Sequence, residues 1–230
     1  MAERPYTLLS CSVSLDGYLD SATGKRLLLS NDADFDRVDA VRASCDAILV
    51  GAETVRSDNP RLLVRDGARQ AARKARGVSA TPTKVTLTRR ANLSPRANFF
   101  ALGDVDKLVY CPAPAAPQAR ERLGSVATVI GGGEHVDLEQ MSQDLYSRGV
   151  NRLMIEGGGT IHTQFLTADL ADELHLVIAP LFVGDSRAQR FVGDGHFPWN
   201  PGRRARLVEV QPIGDVVLLR YALSPRFCPN

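Results

Sequence analysis

Short, continuously apolar runs recur along the chain and alternate with segments whose apolar residues have helical spacing. Residues 46–51, Asp-Ala-Ile-Leu-Val-Gly, form such a run, which is typical of a strand buried on both faces of a parallel sheet. The apolar spacing that starts at Phe35 predicts a helix that ends near residue 44 and that Ser30 or Asn31 caps. By the same reasoning we predict strands at residues 6–13, 46–51, 84–88, 107–110, 126–130, 152–155 and 173–178, and further helices at residues 137–148 and 160–166.

The end of the chain has the pattern of a hairpin. Residues 205–211 and 216–223 are two apolar-rich runs separated by the turn sequence Pro-Ile-Gly-Asp. Strands that alternate with helices, followed by such a hairpin, predict an α/β fold with a mostly parallel central sheet, helices on both faces and an antiparallel edge. No change of pattern marks a boundary, so we predict a single domain over residues 1–230. In such folds ligands bind beyond the carboxyl ends of the strands.

Three segments have weaker patterns. Residues 18–23 are interpreted as a short returning strand that Gly24 closes. Residues 67–77 are basic and rich in alanine, and they predict either a mobile loop or a short helix. Residues 112–117 are rich in Pro and Ala and are interpreted as a connector.

Composition narrows the class of protein. Hydrophobic residues make up 44% of the chain and charged residues 23%, which is typical of a folded globular protein. The 28 Lys and Arg residues nearly balance the 26 Asp and Glu residues, which excludes a strongly basic nucleic-acid-binding surface but allows a local anion site. No apolar stretch approaches the roughly 20 residues that span a bilayer. There is also no signal-peptide pattern, so we expect a cytoplasmic protein.

The cysteines and histidines give no metal or nucleophile pattern. The cysteines are scattered without a CxxC pair, which favours reduced thiols over a zinc site or a disulfide framework: Cys11, Cys45, Cys111 and Cys228. The histidines have neither a GxSxG elbow nor HExxH spacing, and they are interpreted as structural: His135, His162, His175 and His196. The sequence Ser14-Leu15-Asp16-Gly17 is interpreted as a turn.

A glycine run between a strand and a helix is the strongest local signal for a ligand. Gly157, Gly158 and Gly159 follow the predicted strand at 152–155 and precede the helix at 160–166. Glycines let a phosphate approach the backbone closely, and the start of a helix offers unpaired N–H groups. The run matches neither GxGxxG nor a Walker loop. A second run, residues 131–133, also follows a strand, so we predict a shared phosphate-rich ligand; the alternative is that the runs are only tight turns.

Arginines are concentrated in the segment that leaves the strand at 46–51. Arg56, Arg61 and Arg65 accompany Asp58 there, in what is interpreted as a loop. The guanidinium group binds phosphate with two parallel hydrogen bonds, which favours an anion site. The alternative is a surface loop that Asp–Arg pairs hold together. Arg42 follows Phe35 by seven residues on the same helix face and either extends to solvent or points into a site.

Four stretches together resemble the reductase domain of bacterial riboflavin biosynthesis, and its stand-alone archaeal and fungal relatives. They are SLDGYLD, VRASCDAILVGAETVRSDNPRLLVR, GVNRLMIEGGGTIHTQFL and DELHLVIAPLFVG, and the similarity covers about residues 5–222. The zinc motifs of the deaminase half of the bifunctional enzyme, HxE and PCxxC, are absent from the sequence. The resemblance implies a dihydrofolate-reductase-like fold, NADPH as cofactor and a homodimer.

The resemblance also assigns roles to residues. It implies that hydride passes from the nicotinamide to C1′ of a phosphoribosylated aminopyrimidine, which becomes a ribityl compound. The implied cofactor contacts are Thr54, Asp58, Gly158, Gly159, Thr160 and Ile161. The implied substrate contacts are Arg42, Arg61, Arg65 and Glu156, and the implied catalytic residues are Asp58 and Glu156. Arg89, with Arg90 beside it, follows a predicted strand end and is predicted to meet the 2′-phosphate of NADPH.

The expected function is therefore an NADPH-dependent reductase that acts on 5-amino-6-(5-phosphoribosylamino)uracil or its 2,5-diaminopyrimidinone counterpart. One alternative is a reductase of the same fold with another substrate, such as a pteridine, dihydrofolate or a secondary-metabolite intermediate. The other is a nucleotide-binding module without catalysis, which would have no use for Asp58 and Glu156 in one cleft. Residues 216–219 are apolar on both faces, which is unusual for a free edge and predicts a homodimer built on the sheet edge and the hairpin.

Overall fold

A computed structural model describes residues 3–23 and 27–227, so Gly24 and Cys228 lie outside the described residues. The strands are β1 (Tyr6–Ser14), β2 (Ala47–Gly51), β3 (Thr83–Leu87), β4 (Lys107–Cys111), β5 (Thr128–Gly131), β6 (Arg152–Gly157), β7 (Glu173–Ala179), β8 (Arg206–Ile213) and β9 (Val216–Ala222). The helices are α1 (Asp32–Ser44), α2 (Ala52–Ser57), α3 (Gly67–Ala75), α4 (Asn98–Ala101), α5 (Ala116–Leu123), α6 (Leu138–Ser147) and α7 (Gly159–Thr167), with a 3-10 turn at Ala113–Ala115.

The chain forms two compact units, and the division between them falls within β6. The first comprises residues 3–5 and 39–154. Its strands lie in the order β5-β4-β3-β2, and each neighbouring pair is parallel. All five residues of β2 are buried, as the continuous apolar run predicts. The prediction of a single domain stays a prediction.

The second unit comprises residues 6–38 and 155–227. In it β1 pairs with β7 in parallel, whereas β7–β9 and β9–β8 are antiparallel. The predicted α/β fold, with mostly parallel strands and a C-terminal antiparallel hairpin, is confirmed. The prediction that residues 216–219 form an edge is wrong, because β9 lies between β7 and β8. This position explains why β9 is apolar on both faces, and it makes β8 the edge strand.

The structure shows what the three segments with weak patterns form. Residues 18–23 form no strand; Tyr18 makes only an isolated bridge to Arg190. Residues 67–77 contain α3, whose first turn is capped by Asp66 through a 2.8 Å hydrogen bond from Arg69 N. The connector at 112–117 contains the 3-10 turn and the start of α5, because proline is tolerated in the first turn of a helix.

Helix α1 buries an acidic residue where an apolar face was predicted. Phe35 and Val38 are only partly buried, whereas Asp34 is 0% exposed. The Asp34 carboxylate accepts hydrogen bonds from Ser30 Oγ and, at 2.7 Å, from Arg37 Nε. A buried carboxylate is tolerated because it is paired and hydrogen-bonded. The predicted cap is confirmed, since Asn31 Oδ1 accepts from Asp34 N at 3.0 Å.

A buried polar network in the second unit gives His175 a structural role, as predicted. Arg37 donates to His175 Nδ1 at 3.2 Å, while His175 Nε2 lies 2.8 Å from Glu173 Oε1 and 3.0 Å from Arg220 Nε. Arg220 donates to the same carboxylate at 2.6 Å. Burial raises the pKa of Glu173, but the hydrogen bonds from His175, Arg220 and Tyr6 outweigh it and hold that pKa at about 2. Burial lowers the pKa of His175, so its ring is neutral at pH 7.

Candidate functional site

The segment after β2 begins as a short helix and not as the predicted loop. Gly51 ends β2 and helix α2 starts at Ala52, so Thr54 and Arg56 lie on a helix. Asp58 ends this helix, and its backbone N–H donates to Thr54 O at 3.0 Å. The Asp58 carboxylate is exposed at the far end of α2, the helix that follows the carboxyl end of β2. That carboxyl end is the edge of a parallel sheet at which ligands bind.

The alternative interpretation, Asp–Arg pairs that hold this segment, is wrong for Asp58. Arg56 pairs with Glu53 and donates to Asn92 O at 3.3 Å. Among the residues that the structure describes, the Asp58 carboxylate has one hydrogen-bond partner, Ser57 Oγ at 2.8 Å. The carboxylate therefore remains available to a ligand.

Asp39, which the sequence reasoning missed, holds the segment that carries Arg65. The Asp39 carboxylate is 2% exposed and accepts from Arg65 N at 2.6 Å and Asp66 N at 3.2 Å. Arg69 also donates to it at 3.1 Å. Burial raises the pKa of Asp39, but these hydrogen bonds outweigh it and lower that pKa overall. Asp39 follows Phe35 by four residues and so occupies the helix face that was predicted to be apolar, but nothing in the sequence marks its partners.

Arg65 and Arg42 have different surroundings. The Arg65 side chain is 59% exposed, with Nε 3.6 Å from Asp39, and its guanidinium can reach an incoming anion. Arg42 is partly buried and donates to Leu63 O at 3.3 Å, so it contacts the backbone of the same segment. Leu62, 3% exposed, anchors this backbone at a φ of 48°. Arg61, next to it, is exposed.

Arg89 and Arg90 line one pocket together with Arg56. The pocket has a volume of about 310 Å³, and its remaining lining residues are Ala52, Thr88 and Asn92. Arg89 and Arg90 are exposed and directly follow Thr88, where the chain leaves β3. Arginine guanidinium groups bind anions with several oxygens, such as a phosphate, so a pocket lined by three arginines favours such a ligand.

The glycine run of the second unit lies at the start of α7, as predicted. Gly158 has a φ of 90°, which favours glycine, and it joins β6 to α7. A Cβ at Gly159 would lie 2.4 Å from Arg190 O, so only glycine fits this position. Thr160 is exposed at the same helix start. Ile161 is 7% exposed and its N–H donates to Gly158 O at 2.9 Å. Since this N–H already has an acceptor, Ile161 can offer a ligand little more than apolar contact.

A pocket of about 450 Å³ lies at this helix start. It is lined by Gly159, Thr160, Thr163 and Gln164 of α7 and by Ser186, Ala188, Gln189, Arg190, Val192 and Gly193. The first N–H groups of a helix have no intrahelical acceptor and attract anions. Glu156, the penultimate residue of β6, is partly buried between the buried residues Ile155 and Gly157.

The second glycine run is not a phosphate site. Asp137 caps α6 by accepting from Glu139 N at 2.8 Å and Gln140 N at 3.1 Å, so this helix start is already satisfied. The carboxylates of Asp137 and Asp144 line the adjacent pocket of about 200 Å³ and would repel a phosphate. A Cβ at Gly131 would lie 2.6 Å from Ala116 Cβ, so close helix packing accounts for this glycine.

Three further findings concern metal ions, membrane-spanning helices and cysteines. Within residues 3–23 and 27–227, no group of three His, Cys, Asp or Glu side chains is arranged to hold a metal ion. The described helices are all too short or too polar to cross a membrane. Cys11, Cys45 and Cys111 are free, and the last two are buried.

Comparison with known proteins places the chain among reductase sequences. Residues 5–219 match the family model of the RibD C-terminal domain. A 2,5-diamino-6-ribosylamino-4(3H)-pyrimidinone 5′-phosphate reductase of Archaeoglobus fulgidus is 32% identical over 97% of this chain and 99% of its own length. The enzyme of that name from Methanothermobacter thermautotrophicus is 33% identical over 96% and 99%.

Solved structures share the fold. A pyrimidine reductase-like protein of Corynebacterium diphtheriae superposes with a TM-score of 0.80 at 23% identity, over 95% of this chain and 91% of that one. RibD of Acinetobacter baumannii gives a TM-score of 0.78 at 25% identity. This chain covers 58% of the length of that RibD.

Proposed function

The chain belongs to the RibD C-terminal domain family, and on this premise we propose that it is an NADPH-dependent reductase of riboflavin biosynthesis. Its substrate would be 2,5-diamino-6-ribosylamino-4(3H)-pyrimidinone 5′-phosphate or the corresponding uracil. The similarity to the archaeal reductases over 99% of their length carries this proposal.

Each unit, taken by itself, has residues that fit one part of NADPH. The pocket with Arg56, Arg89 and Arg90 suits the 2′-phosphate, which distinguishes NADPH from NADH. The start of α7, where Gly158 and Gly159 let a ligand approach the backbone, suits the pyrophosphate. Thr54 and Asp58 lie on and at the end of α2, close in sequence to Arg56, and are proposed to contact the same cofactor. When bound, the nicotinamide supplies the hydride.

The substrate phosphate is assigned to the exposed arginines of the first unit. Arg65, with its backbone fixed by Asp39, and Arg61 would bind the phosphate far from the reacting carbon. Arg42 supports the same segment through Leu63 O. Binding energy gained at a remote group can align the reacting atoms.

The two carboxylates are assigned to orientation. Asp58 is exposed at the end of α2 and would orient the ribose, whereas Glu156 would accept hydrogen bonds from the pyrimidine N–H groups. When the ribosyl ring opens, the C1′–O4′ bond breaks, O4′ takes a proton and C1′ becomes an iminium carbon that accepts hydride. Since this carbon is already electrophilic, correct positioning supplies much of the rate.

Steady oxidation of NADPH tests the proposal. The purified chain is assayed with the phosphorylated pyrimidine, with its dephosphorylated form and with dihydrofolate. Turnover should require the phosphorylated pyrimidine. Turnover with dihydrofolate instead would identify a different substrate on the same fold, and no oxidation with any of the three would contradict the reductase proposal.

We propose that the chain forms a homodimer in which a second copy packs on the β8–β9 hairpin. Leu176, Leu219 and Val210 lie in register across β7, β9 and β8 on one face of the sheet. Leu176 and Leu219 are partly exposed, and Val210 on the edge strand is 56% exposed. An edge strand beside an exposed apolar face is a ready surface for pairing. Light scattering should give about twice the 25.0 kDa of the chain, and a monomer would contradict the assembly.

A further inference from the structure

The turn after β1 has a partner that its sequence does not reveal. The carboxylate of Asp16 accepts three hydrogen bonds: from Ser14 Oγ at 2.6 Å, from Val183 N at 3.0 Å and from Gly184 N at 2.8 Å. The Ser14 hydroxyl, followed by the backbone donors, lowers the pKa of Asp16 to about 2. Asp16 is therefore ionised at any pH at which the protein works, and it joins the turn to a segment that begins some 165 residues later.

The turn after β1 contacts residues 181–193 at further points. Leu15 N donates to Leu181 O at 2.8 Å, and Leu19 N donates to Gln189 O at 2.8 Å. Phe191 N donates to Gly17 O at 3.1 Å. These hydrogen bonds connect backbone atoms. The side-chain contacts between this turn and residues 181–193 include those of Asp16 and that of the Tyr18 hydroxyl, which accepts from Arg190 at 3.1 Å.

Residues 186–193 also form one wall of the pocket at the start of α7. The backbone of Arg190 lies so close to the helix that a Cβ on Gly159 would be 2.4 Å from Arg190 O. At the far end, Gly193 N donates to Thr163 Oγ1 at 2.9 Å. The wall is thus attached to α7 at one end and, through Val183 and Gly184, to Asp16 at the other.

We propose that Asp16 is a positioning residue for this pocket: by holding Val183 and Gly184, its carboxylate keeps residues 181–193 in the arrangement that receives the phosphates of the cofactor. The inference rests on the proposed function for the identity of the ligand. Asp16 itself lines no part of the pocket and acts through the backbone of the segment. An ionised carboxylate is a stronger acceptor for two adjacent N–H groups than any neutral side chain of the same size.

Asp16→Ala tests the inference, and Asp185→Ala is its matched control. Asp185 lies in the same segment, but its carboxylate bonds to Arg187 within that segment. In the ligand-free protein, Asp16→Ala should speed amide hydrogen exchange at Val183, at Gly184 and at residues 188–191, whereas Asp185→Ala should speed it only at Arg187, whose N–H the Asp185 carboxylate accepts. In titrations with NADPH alone, Asp16→Ala should raise the Kd about tenfold or more. The KM for the pyrimidine should change little.

Asp16→Asn separates positioning from folding if the alanine variant does not fold. The amide keeps one acceptor oxygen but places an NH₂ group against Gly184 N, so it should raise the Kd for NADPH by a smaller factor than alanine. Unchanged exchange in Asp16→Ala, an unchanged Kd, or an equal rise in both the Kd for NADPH and the KM for the pyrimidine would overturn the inference. Wild-type protein that binds no NADPH would instead contradict the proposed function, so the two failures are distinguishable.

Discussion

Replacing His162 by leucine is expected to make the free energy of unfolding less sensitive to acid. His162 lies in α7 with 0% of its surface exposed, and neither ring nitrogen has a hydrogen-bond partner among the described residues. Its ring packs against Phe191 with the centroids 5.4 Å apart. Burial lowers the pKa of His162 from 6.5 to about 4, because an imidazolium ion would be desolvated there without compensation.

The sign and size of the effect follow from proton linkage. Between pH 6.5 and pH 4 the unfolded chain binds a proton that the folded chain does not, so acidification through this range removes stability. One pKa unit corresponds to about 1.36 kcal/mol, which gives a loss of about 2 kcal/mol at pH 5 and about 3 kcal/mol at pH 4. Leucine does not titrate, and it also removes an unpaired buried donor and acceptor, worth about 1 kcal/mol at neutral pH.

Urea unfolding at a series of pH values between 4 and 7.5 measures this difference. His162→Leu should match or exceed the wild type at pH 7.5 and gain on it by about 2 kcal/mol at pH 5. The control, His196→Leu, replaces an exposed histidine and should follow the wild-type curve. If His162→Leu instead loses several kcal/mol at pH 7.5 and keeps the wild-type slope, the ring nitrogens have a partner and the reasoning fails.

Four further predictions concern the proposed activity and assembly. Asp58→Asn should lower kcat about tenfold or more at an unchanged Tm, because its exposed carboxylate has Ser57 as its one described partner; full turnover with a lower Tm would make Asp58 structural. Arg65→Ala should chiefly raise the KM for the phosphorylated pyrimidine. Asp39→Asn should also raise this KM, because it releases the backbone of Arg65. A fall in kcat alone would contradict both predictions. Arg89→Ala or Arg90→Ala should raise the KM for NADPH by roughly 10–150-fold and leave that for NADH nearly unchanged, with the exposed Arg96→Ala as control; equal use of both cofactors by the wild type would contradict the assignment. Val210→Glu should give a monomer by light scattering, and a dimer that survives would place the interface elsewhere.

Much of the fold follows from patterns that depend on local sequence. The buried strand β2 and the cap of α1 at Asn31 were both predicted, because a buried strand needs no polar face and an asparagine side chain accepts from the first N–H groups of a helix. The position of β9 was not predictable. An apolar strand flanked on both sides has the same sequence pattern as an edge strand covered by another molecule, and only the pairing with β8 distinguishes them.

The predictions for the candidate site rest on side chains that themselves carry chemistry, and they stay predictions. Arg89 and Arg90 follow a strand end, and parallel strands place such residues at a binding edge. Asp39 and Asp16 were missed because each accepts from two distant backbone N–H groups, which every residue has and no motif marks. Asp39 bonds to Arg65 N, 26 residues away, and Asp16 to Val183 N, 167 residues away. Only the folded chain identifies such a pair.

Two of the histidines are buried and two are exposed, so their imidazole groups should differ in chemical reactivity. His162 and His175 are enclosed, the first against Phe191 and the second between Arg37 and Glu173. His135 and His196 are exposed. A reagent that acylates neutral imidazole, such as diethyl pyrocarbonate, should therefore modify the exposed pair in the folded protein. The rate at which the enclosed pair is modified would then measure how often α7, or the hydrogen-bond network of β7, opens locally. Unfolding curves do not separate such local openings.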